Sequence, residues 1–438
     1  MINLEKEIDL YLKILFPITR SITGNGNRET LKILQELIPL DILEYPTGQK
    51  VYDWTIPKEW NIKDAWIKNS KGEKIIEFKD LNLHVVSYST PIHKKMKWSG
   101  LKKHLHYLEN SPDSIPYRTS YYNETWGFCL SYSQFSILNS QLNVDEEYEV
   151  FIDSELSDGS MSLGELIIKG KSKKEYLLSC YICHPSMAND SLSGVITTAF
   201  IAKELLKIQD RLEYSYRIVF VPETIGAIAY CANNEKAMKE IDNGLVITTC
   251  GGLGDFGYKQ SWEENNFINE MIEDIFNENN TNFKTYPFDI HGSDERQYSS
   301  QGFKINCATI SKDRYYEYDY YHTSLDNLDF VNAKNLNKTL DLYLQLINKM
   351  DKNIVYKNLH PNCEVMLSKH DLYPKTGGAI LPNSDIYALD IILWLLYYCD
   401  GTKDLYEISK KLSISIDLVY EQVNNLEEKN IIKNIINE

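Results

Sequence analysis

The chain has 438 residues, of which 43% are hydrophobic and 25% charged, a composition typical of a globular protein. This length exceeds that of one typical domain, so two or three domains are expected. The formal net charge of −16 argues against nucleic acid and anionic membranes as partners, because both are bound by basic surfaces.

The predicted location is the cytoplasm. The first residues show no basic region followed by an apolar run, so no secretory signal is expected. The longest apolar stretch, residues 387–399, is interrupted by Asp390 and is too short to span a bilayer. Eight cysteines are scattered along the chain, which favours reduced thiols over a disulfide framework.

The N-terminal part predicts two helices followed by a β-rich insertion. Helices are predicted at residues 4–15 and 28–38, joined by a turn-rich link. Residues 54–116 lack helical periodicity, and their alternating runs flank Ser70-Lys71-Gly72, which is a hairpin signal. We predict that residues 54–116 form an inserted domain that covers the mouth of an active site, and that residues 1–53 and 117–352 form the main domain.

Beyond residue 126 the pattern alternates between strands and helices. This alternation predicts an α/β fold with a mostly parallel sheet and helices on both faces. The predicted strands are residues 148–152, 164–168, 176–183, 217–221, 245–249 and 305–310. The predicted helices are residues 193–206, 226–240, 265–277 and 333–350.

Residues 356–438 predict a separate winged helix-turn-helix domain. After a Pro/Gly-rich linker come three helical runs, at 386–398, 405–412 and 416–429, and a wing strand at 431–435. The segment has eight Lys and no Arg against twelve acidic residues, a net charge of −4, so it offers no phosphate-binding surface. We therefore favour protein contact, including homo-oligomerisation, over DNA binding.

A histidine and a carboxylate follow the predicted strand at 176–183. Residues at the carboxyl ends of strands in open α/β sheets lie where these sheets bind ligands. Imidazole and carboxylate groups, here His184 and Asp190, are common zinc ligands. The alternative is a helix N-terminus capped by Asp190, which leaves His184 unexplained. Cys180 and Cys183 form a CxxC motif inside the strand, and we interpret them as plain buried cysteines.

Three further segments carry polar residues of the same kind. Glu223 follows the strand at 217–221 and suits a general base beside metal-bound water, or a first-turn acid of a helix. In the polar run 292–298, Asp294 is predicted to orient a ligand. Either Glu295 or Arg296 is predicted to bind the charged end of a substrate. Alternatively, the two residues pair with each other. His322 ends a tyrosine-rich loop and is by itself more typical of a surface histidine.

The order of these segments resembles the zinc-dependent aminopeptidase superfamily, which includes bacterial leucyl aminopeptidases, glutamate carboxypeptidase II and the glutaminyl cyclases. The motif likeness covers residues 176–330. The whole chain looks like a bacterial aminopeptidase-like group that is often labelled as polysaccharide-biosynthesis related. Members of that group resemble the predicted arrangement: a peptidase domain, an inserted β domain and a C-terminal winged helix.

The resemblance implies a zinc site held by His184, Asp190 and His322, with Glu223 as the catalytic glutamate. Two departures concern the number of zinc ions. Thr224 stands where the superfamily has a second, metal-binding glutamate, and residues 244–250 lack an expected aspartate. One zinc ion is therefore the simpler count, although two remain open. There are two alternatives: Glu223 is a fourth zinc ligand, or Glu295 takes the place of a missing carboxylate.

The resulting hypothesis is a zinc metallopeptidase that acts on a small peptide or aminoacyl-type substrate. Zinc-activated water attacks an amide carbonyl while Glu223 accepts and returns the proton. Asp294 and Asp326 are predicted to orient the histidines, and the tyrosines of the preceding loop are predicted to line the pocket: Tyr315, Tyr316, Tyr318, Tyr320 and Tyr321. The alternatives are a zinc-dependent acyl transferase or cyclase, and a non-catalytic scaffold that has lost metal ligands.

Overall fold

A computed structural model of the chain describes residues 4–140, 146–373 and 388–437, which divide into two compact units. The first unit comprises the described parts of Met1–Ile168, Tyr176–Ile208 and Tyr216–Tyr343. The second comprises those of Lys169–Glu175, Gln209–Ser215 and Leu344–Glu438. Within the described residues, no helix combines the length and the apolar character that crossing a bilayer requires.

An eight-stranded sheet is the centre of the first unit. Across the sheet its strands run in the order β1-β2-β4-β3-β5-β8-β6-β7. Every residue of the fourth and eighth strands is buried, as expected for the middle of a covered sheet. The eight strands are β1 (Asp41–Pro46), β2 (Ser160–Ile168), β3 (Glu175–Tyr181), β4 (Ser215–Val221), β5 (Asn243–Val246), β6 (Phe256–Lys259), β7 (Phe283–Tyr286) and β8 (Asn306–Lys312).

The predicted α/β class is confirmed, and the sheet contains both parallel and antiparallel pairs of strands. Strand β5 pairs in parallel with β3 and β8, and β6 pairs in parallel with β7. The pairs β1–β2, β2–β4 and β6–β8 are antiparallel. Only residues 169–174 connect β2 to β3, which β4 separates in the sheet, so this connection contains no crossover helix.

Helices of the first unit alternate with these strands. The predicted helix at 226–240 is interrupted at Asn234 and forms two helices. The helix that follows the His184 segment starts at Gly194, where a Cβ atom would lie 2.1 Å from the Ile247 carbonyl oxygen, so this close approach requires glycine. The helices are Leu4–Leu15, Asn25–Gln35, Trp98–Leu101, Tyr132–Ser140, Gly194–Lys207, Ile225–Asn233, Glu235–Met238, Phe267–Glu278 and Glu295–Tyr298, with Ala333–Asp351 spanning the boundary between the units.

The inserted region forms its own four-stranded antiparallel sheet. Its order is Lys74–Glu77, Glu59–Lys68, Glu147–Ser157, Ile92–Lys97. The hairpin predicted around Gly72, which has φ of +81°, is present. The strand predicted at 148–152 belongs to this sheet and not to the central one, so the insertion reaches beyond residue 116. Period-two alternation predicts a strand but not which of two sheets it joins.

The second unit is a winged helix domain. Its helices are Ala388–Tyr398, Leu405–Leu412 and Ile416–Glu428. A three-stranded sheet runs Asp400–Asp404, Val355–Asn358, Ile432–Asn434, so the predicted wing strand is present and the middle strand was missed. The Asp404 and Ser415 side chains cap the last two helices by accepting backbone N–H bonds. Residues 386–387 of the first predicted helix lie outside the described residues.

Candidate metal and catalytic site

The polar segments identified in the sequence meet in the first unit. His184 and Asp190 follow β3, and Glu223 follows the neighbouring strand β4. His322 lies in the loop after β8. Ligand atoms of His184, Asp190 and His322 all lie within 4.8 Å of one another. The structure therefore brings together the three predicted metal ligands, which lie up to 138 positions apart in the chain.

The distances place Glu223 at the same centre. The Asp190 Oδ2 and His322 Nε2 atoms are 3.0 Å apart, and the centroids of the two histidine rings are 5.5 Å apart. The Glu223 Oε2 atom lies 3.9 Å from His184 Nε2. The Glu223 side chain keeps 27% of its surface exposed, whereas that of His184 is almost fully buried. Glu223 therefore faces both the histidine and the solvent.

Two atoms that face each other lack hydrogen-bond partners. Asp190 Oδ2 and His322 Nε2 are both buried and lie 3.0 Å apart, within ion-pair distance but outside hydrogen-bond geometry, and neither makes a hydrogen bond to any other described residue. Buried polar atoms are nearly always satisfied, so such a pair needs an explanation. One carboxylate and two imidazoles form a donor set that suits Zn²⁺. The donor set of His184, Asp190 and His322 therefore fits a metal ion such as zinc.

The protonation states of His184 and Asp190 also suit metal binding. Burial lowers the pKa of His184 to about 4, so the ring is neutral at pH 7. Burial acts to raise the pKa of Asp190, but the nearby His184 and His322 rings outweigh it and bring the value to about 2. Metal ligands must be deprotonated, and these two groups are deprotonated at neutral pH without any metal.

The backbone that carries Asp190 is held by a second carboxylate. The buried Asp326 accepts N–H bonds from Asn189 (2.6 Å) and Asp190 (2.9 Å), and a hydroxyl bond from Tyr318 (3.0 Å). The Tyr181 hydroxyl donates to Asp190 Oδ1. The predicted contact between Asp326 and a histidine is not observed among the described residues. Asp326 instead positions the loop that presents Asp190.

Arg20 supports His184 and was missed by the sequence analysis. The buried Arg20 guanidinium donates from Nε to the His184 carbonyl (3.0 Å) and from Nη1 to the Leu15 carbonyl (2.5 Å). Burial lowers its pKa to about 10. The sequence around Arg20 does not predict this role, because its partner His184 lies 164 residues away in the chain.

The end of the inserted region contacts the His322 loop directly. The Tyr117 N–H donates to the His322 carbonyl (2.8 Å), and Pro116 forms an antiparallel bridge with Thr323. The Tyr117 ring lies 5.2 Å from the His184 ring and 5.3 Å from the His322 ring. The insertion thus supplies one wall of the site.

Glu223 lies in an environment that favours proton uptake. Burial raises the pKa of its carboxyl well above the ordinary value, and the nearby Asp294 and Asp190 raise it further. The Glu223 N–H donates to Cys183 Sγ (3.2 Å), which fixes the start of its loop. Cys180 and Cys183 are buried as predicted, but Cys183 also touches the site: its sulfur lies 3.4 Å from His184 Nδ1.

Asp294 acts on the Glu223 loop and not on a histidine. Its Oδ1 atom accepts the Thr224 N–H at 2.7 Å, while Oδ2 is buried without a partner. Thr224 has φ of +64°, an unusual value for a β-branched residue, so this bond supports a strained turn. Burial raises the pKa of Asp294 to about 7. The predicted role as histidine orienter is replaced by a role in positioning Glu223.

Glu295 pairs with a lysine that the sequence analysis did not identify. The buried Lys259 Nζ donates to Glu295 Oε1 (2.8 Å), Asp289 Oδ1 (2.9 Å) and the carbonyl oxygens of Asp289 and His291. Glu295 therefore has a partner other than Arg296, and no described contact places it among the metal-ligating groups. A Cβ atom on Gly292, whose φ is +122°, would lie 2.3 Å from Glu295 Oε1, so this tight loop requires glycine.

The tyrosine-rich loop contributes unequally to the site. The Tyr321 ring stacks on His322 with centroids 3.9 Å apart. Tyr318 binds Asp326, and Tyr315 OH lies 3.4 Å from Glu295 Oε1. Tyr316 and Tyr320 are 65% and 39% exposed. Of the five predicted lining residues, only Tyr321 packs on a metal-site histidine.

Comparison with known proteins identifies the family of the chain. A family model described as "Domain of unknown function (DUF4910)" matches residues 10–353, and a winged helix-turn-helix model matches residues 354–434. A Clostridium acetobutylicum protein, described as "Putative polysaccharide biosynthesis protein with aminopeptidase-like domain", is 45% identical over 405 residues, which cover 92% of this chain and 91% of that protein.

Solved structures extend the likeness to the fold. A crystal structure described as a "putative peptidase" from Clostridium acetobutylicum has a TM-score of 0.85 at 42% identity, covering 98% of this chain and 96% of the other. A zinc aminopeptidase from Bacillus subtilis has a TM-score of 0.57 at 12% identity, covering 79% and 94%. The second likeness shows a shared aminopeptidase fold. The chain belongs to the DUF4910 family and has an aminopeptidase-like domain followed by a winged helix-turn-helix.

Proposed function

We propose that the protein is a zinc-dependent hydrolase of peptide or amide bonds, with His184, Asp190 and His322 as zinc ligands and Glu223 as general base. The observation that carries this proposal is the facing pair of unsatisfied atoms, Asp190 Oδ2 and His322 Nε2. The aminopeptidase fold and the aminopeptidase-like name of the Clostridium relative support it. The proposed substrate is a small peptide or aminoacyl compound; the name of that relative suggests polysaccharide biosynthesis as its context.

A zinc ion at this site supplies Lewis acidity toward water and the substrate carbonyl. His184 and Asp190 are prepared as ligands because one is neutral and the other ionised at pH 7. Glu223 takes a proton at Oε2, the atom that faces His184, and transfers it to the leaving amine. Burial and the nearby Asp294 and Asp190 raise its pKa, which suits proton uptake, and the positive charge of a bound ion would act in the opposite direction.

A single zinc ion is the count that we propose. Three protein ligands with one open position are the usual pattern of a catalytic zinc site. Thr224 offers no carboxylate, and its Oγ1 atom accepts a bond from Arg296 at 3.3 Å. The nearby group Cys183, His184 and Glu223 is a second cluster of possible ligands, but it shares His184 with the first. Metal analysis of purified protein should therefore give one zinc per chain.

Replacing Glu223 tests the assigned roles. In Glu223→Gln, we expect hydrolysis of aminoacyl amides to fall by about 10²–10⁴-fold with zinc retained, because a general base contributes on this order. Glu235→Gln, an exposed site on another helix, is the matched control. Loss of zinc together with activity in Glu223→Gln would make Glu223 a ligand. Wild-type protein with less than one zinc per chain and no hydrolysis would favour a scaffold.

An acyl transferase or cyclase is the second candidate, favoured because Thr224 stands where the resembled superfamily has a metal-binding glutamate, and its Oγ1 atom is bound by Arg296. The two reactions differ in the acceptor of the acyl group. Mass spectrometry of products formed in ¹⁸O-labelled water distinguishes them: a hydrolase incorporates one label per cleavage, whereas transfer to an amine incorporates none.

The winged helix domain is proposed to contact protein, including a second copy of the chain. Its net charge of −4 over residues 356–438 does not suit a phosphate backbone. Sedimentation of the full chain and of a form that ends at residue 353 measures whether this domain forms an oligomer. A salt-dependent shift with duplex DNA would contradict the proposal.

A further inference from the structure

A pocket of about 380 Å³ lies next to the Glu223 loop, on the side of the short helix Glu295–Tyr298. Arg296 joins the pocket to the site, because its Nη2 atom lies 3.3 Å from Oγ1 of Thr224, the residue that follows Glu223. The pocket is lined by Trp262, Phe288, Ile290, Arg296, Gln297, Ser299, Ser300, Gln301 and Lys304.

The charge of this pocket is opposite to that of the protein. Its lining contains two cations, Arg296 and Lys304, and no Asp or Glu, although the chain as a whole carries −16. Such a local reversal raises the concentration of anionic ligands at the pocket.

The Arg296 guanidinium is available to a ligand. Its side chain is exposed, and its two hydrogen bonds, at 3.3 and 3.5 Å, go to neutral oxygens of Thr224 and Ile290. Across the part of the chain that the structure describes, no carboxylate lies within 4.0 Å of it. Glu295, its neighbour in sequence, is already engaged by Lys259 at 2.8 Å. A guanidinium presents a planar set of donors that matches a carboxylate or phosphate.

The rest of the lining suits a ring. Trp262 is 54% exposed and packs edge-to-face on Phe288, with centroids 5.3 Å apart. Ile290 is 77% exposed beside them. Aromatic surface of this kind gains free energy when a flat apolar group covers it. The pocket therefore combines an apolar surface with a cation at the end that adjoins Glu223.

We propose that this pocket is a substrate subsite for an aromatic or other ring-like group that bears an anion, with Arg296 binding the carboxylate or phosphate. The assignment of the pocket as a substrate subsite rests on the hydrolase function proposed above. It makes Arg296 a specificity residue: the anion replaces the Thr224 and Ile290 oxygens as its partner. Lys304 adds a second positive charge at the same pocket.

Binding of small probes tests the subsite separately from catalysis. Calorimetry on the full-length zinc-loaded protein, in a Glu223→Gln background, measures phenylacetate, phenyl phosphate and neutral phenylacetamide. We expect at least one anionic probe to bind at least tenfold more tightly than the amide. Arg296→Gln should abolish that preference, and Arg296→Lys should restore part of it. The tighter of the two anions identifies carboxylate or phosphate as the ligand chemistry.

Three results would overturn the subsite: equal affinity for the neutral amide, no binding of any probe, or an unchanged preference in Arg296→Gln. Circular dichroism and zinc content of Arg296→Gln show whether that variant keeps its fold. Glu235→Gln serves as a surface control for the preference. Probe binding without hydrolysis by the wild type would contradict the proposed function and keep the anion site. Hydrolysis at equal rates of substrates with and without an anionic group would contradict the subsite and keep the proposed function.

Discussion

Two buried polar clusters of the first unit differ in how their charges are compensated. The ligand cluster, His184, Asp190, His322 and Glu223, contains no basic side chain other than its histidines, and two facing atoms make no hydrogen bond. In the lysine cluster, Lys259, Asp289, Glu295 and Arg314, every charge faces an opposite one within 3.2 Å. The lysine cluster is therefore held together by its own ion pairs, whereas the ligand cluster leaves Asp190 Oδ2 and His322 Nε2 available to a ligand.

We assign the ligand cluster to binding and the lysine cluster to support of a neighbouring loop. A buried group that lacks its partner costs free energy, and a protein retains such a group where a ligand completes it. The lysine cluster holds residues 289–295, from which Asp294 reaches Thr224. It thus stabilises the loop that carries Glu223 without touching the ligand cluster. Substitutions in the ligand cluster should therefore lower zinc content and activity, and substitutions in the lysine cluster should lower stability.

The largest expected effect is that of Asp190→Asn. The amide cannot supply a charged ligand, so we expect zinc below one tenth of an ion per chain and hydrolysis reduced at least about 10³-fold. Metal analysis and turnover of an aminoacyl amide measure these changes. Asp289→Asn in the lysine cluster is the matched control and should retain zinc. Equal loss of zinc from both variants would contradict the proposed difference between the two clusters.

Lys259→Met should lower stability more than it affects zinc. Removing the lysine leaves Glu295 buried without its cation, and breaking a buried pair costs about 3–5 kcal/mol. Denaturant unfolding measures the loss. The double variant Lys259→Met with Glu295→Gln should recover part of it, because no buried charge is then unpaired. A loss below about 1 kcal/mol in the single variant would show that the pair is not structural.

Asp326→Asn should weaken zinc binding about 10–100-fold, as replacements of groups behind metal ligands do. The amide oxygen still accepts one N–H bond, but Asn189 and Asp190 lose the carboxylate that holds both. Competition with a chelator measures the zinc affinity. An unchanged affinity with normal stability would mean that Asp190 is positioned without Asp326.

The smallest effect concerns pH. The pKa of Asp294 is raised to about 7 in the folded protein, so the folded state binds more protons than the unfolded state between about pH 4 and 7. This carboxyl therefore contributes stability at low pH that is lost as pH rises through 7. In Asp294→Asn the decrease in stability from pH 4 to 7 should be smaller, and denaturant unfolding at several pH values measures it. An unchanged profile would mean that the charge of Asp294 is compensated.

Local patterns predicted much of the fold because they depend on nearby residues. Helical periodicity located the helices of the winged helix domain, and in the structure Asp404 and Ser415 cap two of them within three residues of themselves. The hairpin around Gly72 follows from turn chemistry over four residues. The strand at 148–152 was found correctly but assigned to the wrong sheet, since its partners at 59–68 and 92–97 come from elsewhere in the chain.

The residue types and order of the candidate site were visible in the chain, but its contacts were not. His184, Asp190, Glu223 and His322 are chemical groups at strand ends, where α/β folds bind ligands. Lys259 escaped notice because it ends an ordinary strand and its partners lie 30–36 residues further on. Asp294 and Asp326 bind backbone amides, which nearly every position of a chain offers, so these partners leave no trace in the sequence.

The sequence by itself determined the class of fold, the winged helix and the set of groups able to hold a metal, because these depend on side-chain chemistry and short-range periodicity. Tertiary structure alone decided which groups are satisfied by one another. It left Asp190 and His322 facing each other without hydrogen bonds, enclosed Lys259 in carboxylates and placed Arg296 beside the Glu223 loop. Compensation of charge depends on distances between remote segments, and only the packed chain sets those distances.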